Sequence, residues 1–289
     1  MKKITSLIIV TLMCTCTVFA SDMLQIKGSD TLINLVQKLS EEYMNENPQK
    51  FVSVTGGGSG TGIAALINAK TDIANASRLM KPKEATNAQS RGITPKRVVI
   101  AMDGLSVIVN EDNMVNKLTV DQLGKIFRGE VVNWSELGGE NVPITLYGRQ
   151  SNSGTFVFFR DFVLKADYSA NMRRMNGNSQ IVESVRSDVG GIGYVGVGYV
   201  KDAKGIKVAK VARNSKSTFC SPLNAEDVKS GAYPLARPLN QYVNGTPVGE
   251  VKEFILYELS PEGQKIIVEQ GFFPIPNEYI EYNAKVVGK

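Results

Sequence analysis

The stretch Leu24-Gln25-Ile26-Lys27-Gly28-Ser29-Asp30-Thr31-Leu32-Ile33-Asn34-Leu35-Val36 decides the fold class. Leu24-Gln25-Ile26 reads as a strand, and Gly28 to Thr31 form a turn of small polar residues. Leu32, Leu35, Val36, Leu39 and Tyr43 then fall on one face at helical spacing until Asn47-Pro48 ends the run. The same order recurs twice. Phe51-Val52-Ser53-Val54 leads into Gly56-Gly57-Gly58-Ser59-Gly60-Thr61-Gly62 and a short helix through Ile63, Ala64, Leu66 and Ile67. Val142 to Leu146 leads through Arg149 into Ser153-Gly154-Thr155 and a helical stripe of Phe156, Phe159, Phe162 and Val163. Short apolar strands alternating with amphipathic helices predict an α/β protein.

The three turns carry the chemistry. A helix start leaves backbone N–H groups unpaired and holds a partial positive charge, which suits an anion. Glycine permits close backbone approach, and serine or threonine adds a hydroxyl donor. Arg149 stands four residues before Ser153, and a guanidinium fork matches a tetrahedral oxyanion. Each turn also has a purely structural reading as a helix cap. The glycine run fits neither a dinucleotide fingerprint nor a P-loop, since no Gly-Lys-Ser/Thr is present.

Farther along, Val98–Met102 and Leu105–Asn110 read as strands separated by a plain turn at Asp103-Gly104. Thr119 caps a helix through Phe127, and Gly190 to Val195 turn into another strand. Val248–Leu259 and Pro261–Glu269 read as two closing helices. Trp134 and Tyr194 read as packing residues, and Lys81, Lys83 and Glu84 as a solvated helix start. No linker splits the chain into sequential halves, so one site using all three turns requires two lobes facing across a cleft.

Residues 1–20 read as a signal peptide: Lys2 and Lys3, an apolar run from Ile4 to Met13, and Val18-Phe19-Ala20 before a cleavage point at Ser21. The apolar run is too short to span a bilayer, and Cys14 and Cys16 fit a lipobox poorly. Removal leaves 269 residues with Cys220 as a single packed thiol, so an internal disulfide is excluded. The net charge of +5 includes Lys2 and Lys3, and no long basic tract favours nucleic acid. The chain contains no histidine, which excludes histidine-based catalysis and histidine metal sites. We expect no metal and no cofactor.

The run Thr119-Val120-Asp121-Gln122-Leu123, Ile126-Phe127 and Asn133-Trp134, followed by Arg149 to Thr155 and Gly191-Ile192-Gly193-Tyr194, resembles the phosphate-binding component of bacterial phosphate ABC transporters. The resemblance starts at Gly28-Ser29-Asp30-Thr31, continues through Gly57 to Gly62 and covers nearly all of the chain after the leader. It implies a two-lobed periplasmic binding protein fold, each lobe a central sheet flanked by helices, with the chain crossing twice. Residues 22–104 plus 241–289 would form lobe one and residues 105–240 lobe two. It further implies a periplasmic, monomeric, non-enzymatic protein that binds inorganic phosphate and hands it to a membrane permease. Thr31 and Ser59 would supply hydroxyls from lobe one, and Arg149, Ser153, Gly154 and Thr155 the opposing cradle. Arg78 is a further candidate, with Ser29, Asp30, Leu32, Gly60, Ser77 and Asp103 in a supporting tier.

Two positions depart from the family pattern. Asn75-Ala76-Ser77-Arg78 places an arginine where many members carry an aspartate that accepts the proton of hydrogen phosphate. Arg78 either contacts the anion or pairs with a nearby glutamate; another acceptor would then be Asp30, Asp72 or Asp103. Ser151 stands where some members have an aspartate that steadies the arginine, so Arg149 is expected to be held less firmly. Three rivals remain: a binder of sulfate, another oxyanion or an organic phosphate; a secreted phosphatase-like hydrolase using Ser59 or Ser153; and a surface or adhesive protein.

Overall fold

A computed structural model describes residues 23–288; the signal-peptide reading and Cys14 and Cys16 lie outside them. The elements run β1 (Leu24–Gly28), α1 (Ile33–Glu46), β2 (Val52–Thr55), α2 (Ser59–Ile67), β3 (Ile73–Ala76), α3 (Pro82–Ser90) and β4 (Pro95–Gly104). There follow β5 (Ser106–Asn110), β6 (Lys117–Thr119), α4 (Val120–Arg128), β7 (Thr145–Arg149), α5 (Gly154–Phe159), β8 (Arg173–Met175), α6 (Asn178–Arg186) and β9 (Gly191–Val195). The last are β10 (Ile206–Val208), β11 (Lys210–Ala212), α7 (Ala225–Lys229), β12 (Ala236–Asn244), α8 (Gly249–Glu258), α9 (Pro261–Glu269) and α10 (Asn277–Val287).

Two five-stranded sheets organise the chain, in the orders β2-β1-β3-β12-β4 and β10-β5-β9-β7-β8. β1, β2 and β3 are parallel, while β12 runs antiparallel to both β3 and β4. In the second sheet β7 lies parallel to β8 and β9. The chain leaves the first sheet after β4 and returns to it with β12, so it crosses twice.

The central strands β3, β5 and β9 are buried along their whole length, as expected for strands covered by helices on both faces. Leu35, Val36 and Leu39 of α1 pack with Ile26, Ile73, Phe254 and Ile267 on the first sheet. Tyr43 meets Phe254 edge-to-face at 5.2 Å between ring centroids. Phe127, Phe159 and Tyr194 form the aromatic centre of the second, with Phe159 stacked on Tyr194 at 4.3 Å. Thr119 caps α4 by accepting from the Gln122 amide, and Gln122 answers by accepting from the Thr119 amide.

Asp103-Gly104 is not the plain turn expected from the Asp-Gly pair. Both residues continue β4, and Asp103 is fully buried opposite Arg237 of β12. An ion pair between neighbouring strands, not turn chemistry, explains the aspartate.

Glu258 of α8 is also fully buried. Its Oε1 accepts from Gln241 Nε2 at 3.0 Å, and Oε2 has no partner. Burial holds its pKa well above the ordinary 4.5, and the Gln241 bond opposes this only in part. Above the ordinary value the unfolded chain releases this proton while the folded chain keeps it, so stability falls as pH rises. Glu258→Gln cannot ionise. Its melting temperature relative to the wild type should therefore rise between pH 5 and pH 8; a difference independent of pH would contradict a buried protonated carboxyl.

Candidate anion site between the lobes

The three small-residue turns meet where the two sheets face each other. Ser29–Thr31 follow the carboxyl end of β1, Ser77 and Arg78 follow β3, and Arg149 closes β7 before α5, the usual place for ligands of open α/β sheets. Thr31, Ser59, Ser77, Ser153 and Thr155 are all buried. Thr31 Oγ1 lies 2.9 Å from Thr155 Oγ1, and Ser77 Oγ lies 3.3 Å from the same atom. Ser59 Oγ is 3.4 Å from Ser77 Oγ and accepts the Ser77 amide at 3.0 Å. Ser29 Oγ donates to Ser77 Oγ at 3.0 Å. Five hydroxyls from both lobes thus share one buried cluster.

The capping alternative separates these residues. Neither α1 nor α2 has a side-chain cap: the residue before α1 is Leu32, and the one before α2 is Gly58. Thr31 and Ser59 therefore spend their hydroxyls on the interlobe cluster. Ser153 does cap α5, accepting the Phe156 amide at 3.4 Å. α5 continues without a break into a π turn through Leu164. Its first amides, including those of Gly154 and Thr155, lie beyond the reach of intrahelical acceptors.

Arg149 is 2 % exposed, and its Nε and Nη1 have no partner. Unpaired guanidinium nitrogens are costly in a buried place, and an acceptor anion would satisfy them. Nη2 donates to Asn176 O at 2.8 Å and to Asp30 Oδ2. Asp30 belongs to the opposite lobe. It also accepts the Gly57 amide at 2.8 Å, while Tyr199 Oη donates to its carbonyl at 2.6 Å. The expectation of a loosely held Arg149 is thus corrected: Ser151 does not steady it, but Asp30 does from across the cleft. The Arg149 amide is fixed by Tyr194 Oη, whose burial pushes its pKa up to about 12.

The remaining candidates lie at the margins. Arg78 turns its fork onto Glu84, at 2.7 Å for both bonds, and onto Leu79 O at 2.9 Å. Glu84, read as solvated, is a partly buried partner that this arginine holds below the usual carboxylate range. Arg78 Nε has no partner. The Gly60 amide donates to Asn152 O at 2.9 Å, and Asn152 Nδ2 donates to Gly57 O at 2.8 Å, joining the lobes beside the cluster. Gly58, at φ +88°, allows this approach, since a Cβ there would lie 2.7 Å from Asn152 O. Leu32 is a fully buried core side chain. Asp72 lies away from the cluster, accepting the Gln25 amide at 2.8 Å.

Arg237 was not legible as a site residue. It is 3 % exposed and donates to Asp103 Oδ2 through Nε and Nη2 at 2.9 and 2.8 Å. Nη1 donates to Ser77 O at 3.0 Å, and Nη2 reaches Thr155 Oγ1 at 3.0 Å. Burial lowers its pKa, and Asp103 opposes that shift. The available signal was a lone cation in the apolar strand Ala236-Arg237-Pro238-Leu239, which needs a buried carboxylate partner. Among the described residues no cluster of metal-ligating side chains exists, and no helix is long and apolar enough to cross a membrane.

A family description, the PBP superfamily domain, matches residues 18–262. The chain belongs to the PBP superfamily. The phosphate-binding protein PstS of Pseudomonas aeruginosa is 33 % identical to it over 279 residues, spanning 90 % of this chain and 85 % of that one. The phosphate-binding protein PstS of Bacillus subtilis is 31 % identical, spanning 92 % and 85 %. A candidate phosphate ABC transporter substrate-binding protein from Clostridium perfringens, solved with bound phosphate, superposes with a TM-score of 0.78. It is 27 % identical and covers 88 % of this chain and 100 % of its own. The two flanked sheets of this PBP-superfamily chain thus match the two-lobed fold of its solved neighbours.

Proposed function

We propose that the chain binds inorganic phosphate between its lobes and delivers it to the membrane permease of an ABC transporter. The carrying observation is Arg149: a buried guanidinium with two unpartnered nitrogens, beside hydroxyls contributed by both lobes. Thr31, Ser59 and Ser77 face the anion from lobe one, and Arg149, Ser153, Gly154 and Thr155 from lobe two. Arg78 steadies the start of α3 through Glu84. Hydrogen bonds to a charged group contribute about 1.5–3 kcal/mol each, so a few of them reach the roughly 8 kcal/mol of micromolar affinity after desolvation and closure.

The same reading assigns lobe one to the residues up to Gly104 and from Ala236 onward. The pairing of β12 with β4 from Ala236 supports a return crossing at the start of β12 rather than at residue 241. The protein acts as a monomer in the periplasm after loss of residues 1–20, without nucleic acid or cofactor. Relatives named for phosphate binding support a binding protein over an enzyme. The serine surroundings agree: Ser59 Oγ meets the Ser77 amide and hydroxyl, and Ser153 Oγ the Phe156 amide, neither of which is a base.

One observation favours a second ligand, sulfate. Asp30 is engaged by Arg149 and Asp103 by Arg237, and Asp72 lies elsewhere. The hydroxyls themselves must then accept the proton of hydrogen phosphate, which discriminates less sharply against a fully ionised anion than a carboxylate does. A calorimetric competition of phosphate against sulfate from pH 5 to pH 8 separates the two. Phosphate should displace sulfate throughout; tighter sulfate binding across that range would transfer the assignment to sulfate.

A further inference from the structure

We infer that Arg237 is a positioning residue of the anion site, acting through the hydroxyl of Thr155. The inference rests on the phosphate reading above and adds a residue to it. A guanidinium can only donate hydrogen bonds, whereas a threonine hydroxyl has one proton and two acceptor lone pairs. Arg237 Nη2 occupies one of those lone pairs at 3.0 Å. The Thr155 proton must therefore point away from Arg237, toward the side where Thr31 Oγ1 and Ser77 Oγ lie at 2.9 and 3.3 Å. An anion entering that cluster meets a hydroxyl already oriented as a donor.

The fixing of Arg237 is as specific as its aim. Asp103 holds two of its nitrogens and neutralises its charge, while Asp103 Oδ1 accepts the Val197 amide at 2.9 Å. The Phe158 ring lies 5.0 Å from the guanidinium carbon. Asp103 and Arg237 are register partners on β4 and β12, the two strands at which the chain leaves and re-enters the first sheet. One buried side chain therefore contacts Ser77 O of lobe one and Thr155 of lobe two at once. Arg237 thereby ties the first sheet to the start of α5 directly at the anion site.

Phosphate titration calorimetry on a double-mutant cycle tests this. Arg237→Gln should weaken phosphate binding by about tenfold or more. In a Thr155→Val background the same substitution should cost less than about threefold, because the hydroxyl it orients is gone. Should the unpaired Asp103 keep Arg237→Gln from folding, Asp103→Asn with Arg237→Gln, each with and without Thr155→Val, completes the same cycle. A loss of equal size in both backgrounds would mark a structural role and overturn the inference, as would wild-type affinity in Arg237→Gln. Absence of phosphate binding by the wild type would instead overturn the phosphate reading and everything built on it.

Discussion

Arg149→Ala should weaken phosphate binding by about two orders of magnitude or more, measured by titration calorimetry on protein freed of ligand. Two terms act in the same direction. The substitution removes the buried donors Nε and Nη1, which have no partner within the protein and are free to meet an anion. At about 1.5–3 kcal/mol per charge-assisted bond, two such bonds correspond to at least a hundredfold in affinity. It also leaves Asp30 without its interlobe partner, so an uncompensated carboxylate faces the incoming anion. Arg149→Lys should recover only part of the loss, because an ammonium keeps the charge but not the fork. Unchanged affinity in Arg149→Ala would remove the cradle from the account.

The second large effect concerns closure. Gly154 opens α5 against lobe one, and a Cβ on it would stand 2.7 Å from Ser77 Oγ and 2.9 Å from Ser59 Cβ, and closer still to Ser59 Oγ. Those neighbours are short side chains packed in a buried cluster, with little room to yield. Gly154→Ala therefore wedges the lobes apart. Overpacking of this kind costs about 1–3 kcal/mol, and it falls on the closed state alone. Phosphate affinity should drop about 10- to 100-fold, since the anion must now close the lobes against the wedge. The melting temperature without phosphate should shift little, and small-angle scattering with phosphate should give a larger radius of gyration than the wild type. Wild-type affinity in Gly154→Ala would show that the lobes do not need this approach.

The alternation of strand, small-residue turn and amphipathic helix was readable because local periodicity encodes it: α1, α2, α4, α8 and α9 follow their apolar stripes, and Thr119 caps α4. The candidate hydroxyls Thr31, Ser59, Ser153 and Thr155 stood out for a similar reason, each in a recognisable turn. What escaped reading is long-range pairing. Arg237 finds Asp103 across two strands separated by the whole second lobe, and nothing local to either residue announces the partner. Asp103 beside Gly104 imitates a turn for the same reason. Asp30, read as part of a turn, holds Arg149 from the other lobe, a contact between residues 119 positions apart that nothing local announces. Arg78 had two readings in the sequence, and the Glu84 carboxylate six residues on takes its guanidinium.

One tetrahedral anion is expected to sit between the lobes on ligands from both. A crystal structure of the protein with inorganic phosphate tests it most directly. A single phosphate is expected, its oxygens within hydrogen-bonding distance of Thr31 and Ser59 on one side and of Arg149, Ser153 and Thr155 on the other. Phosphate bound to one lobe alone, or outside this cluster, would contradict it.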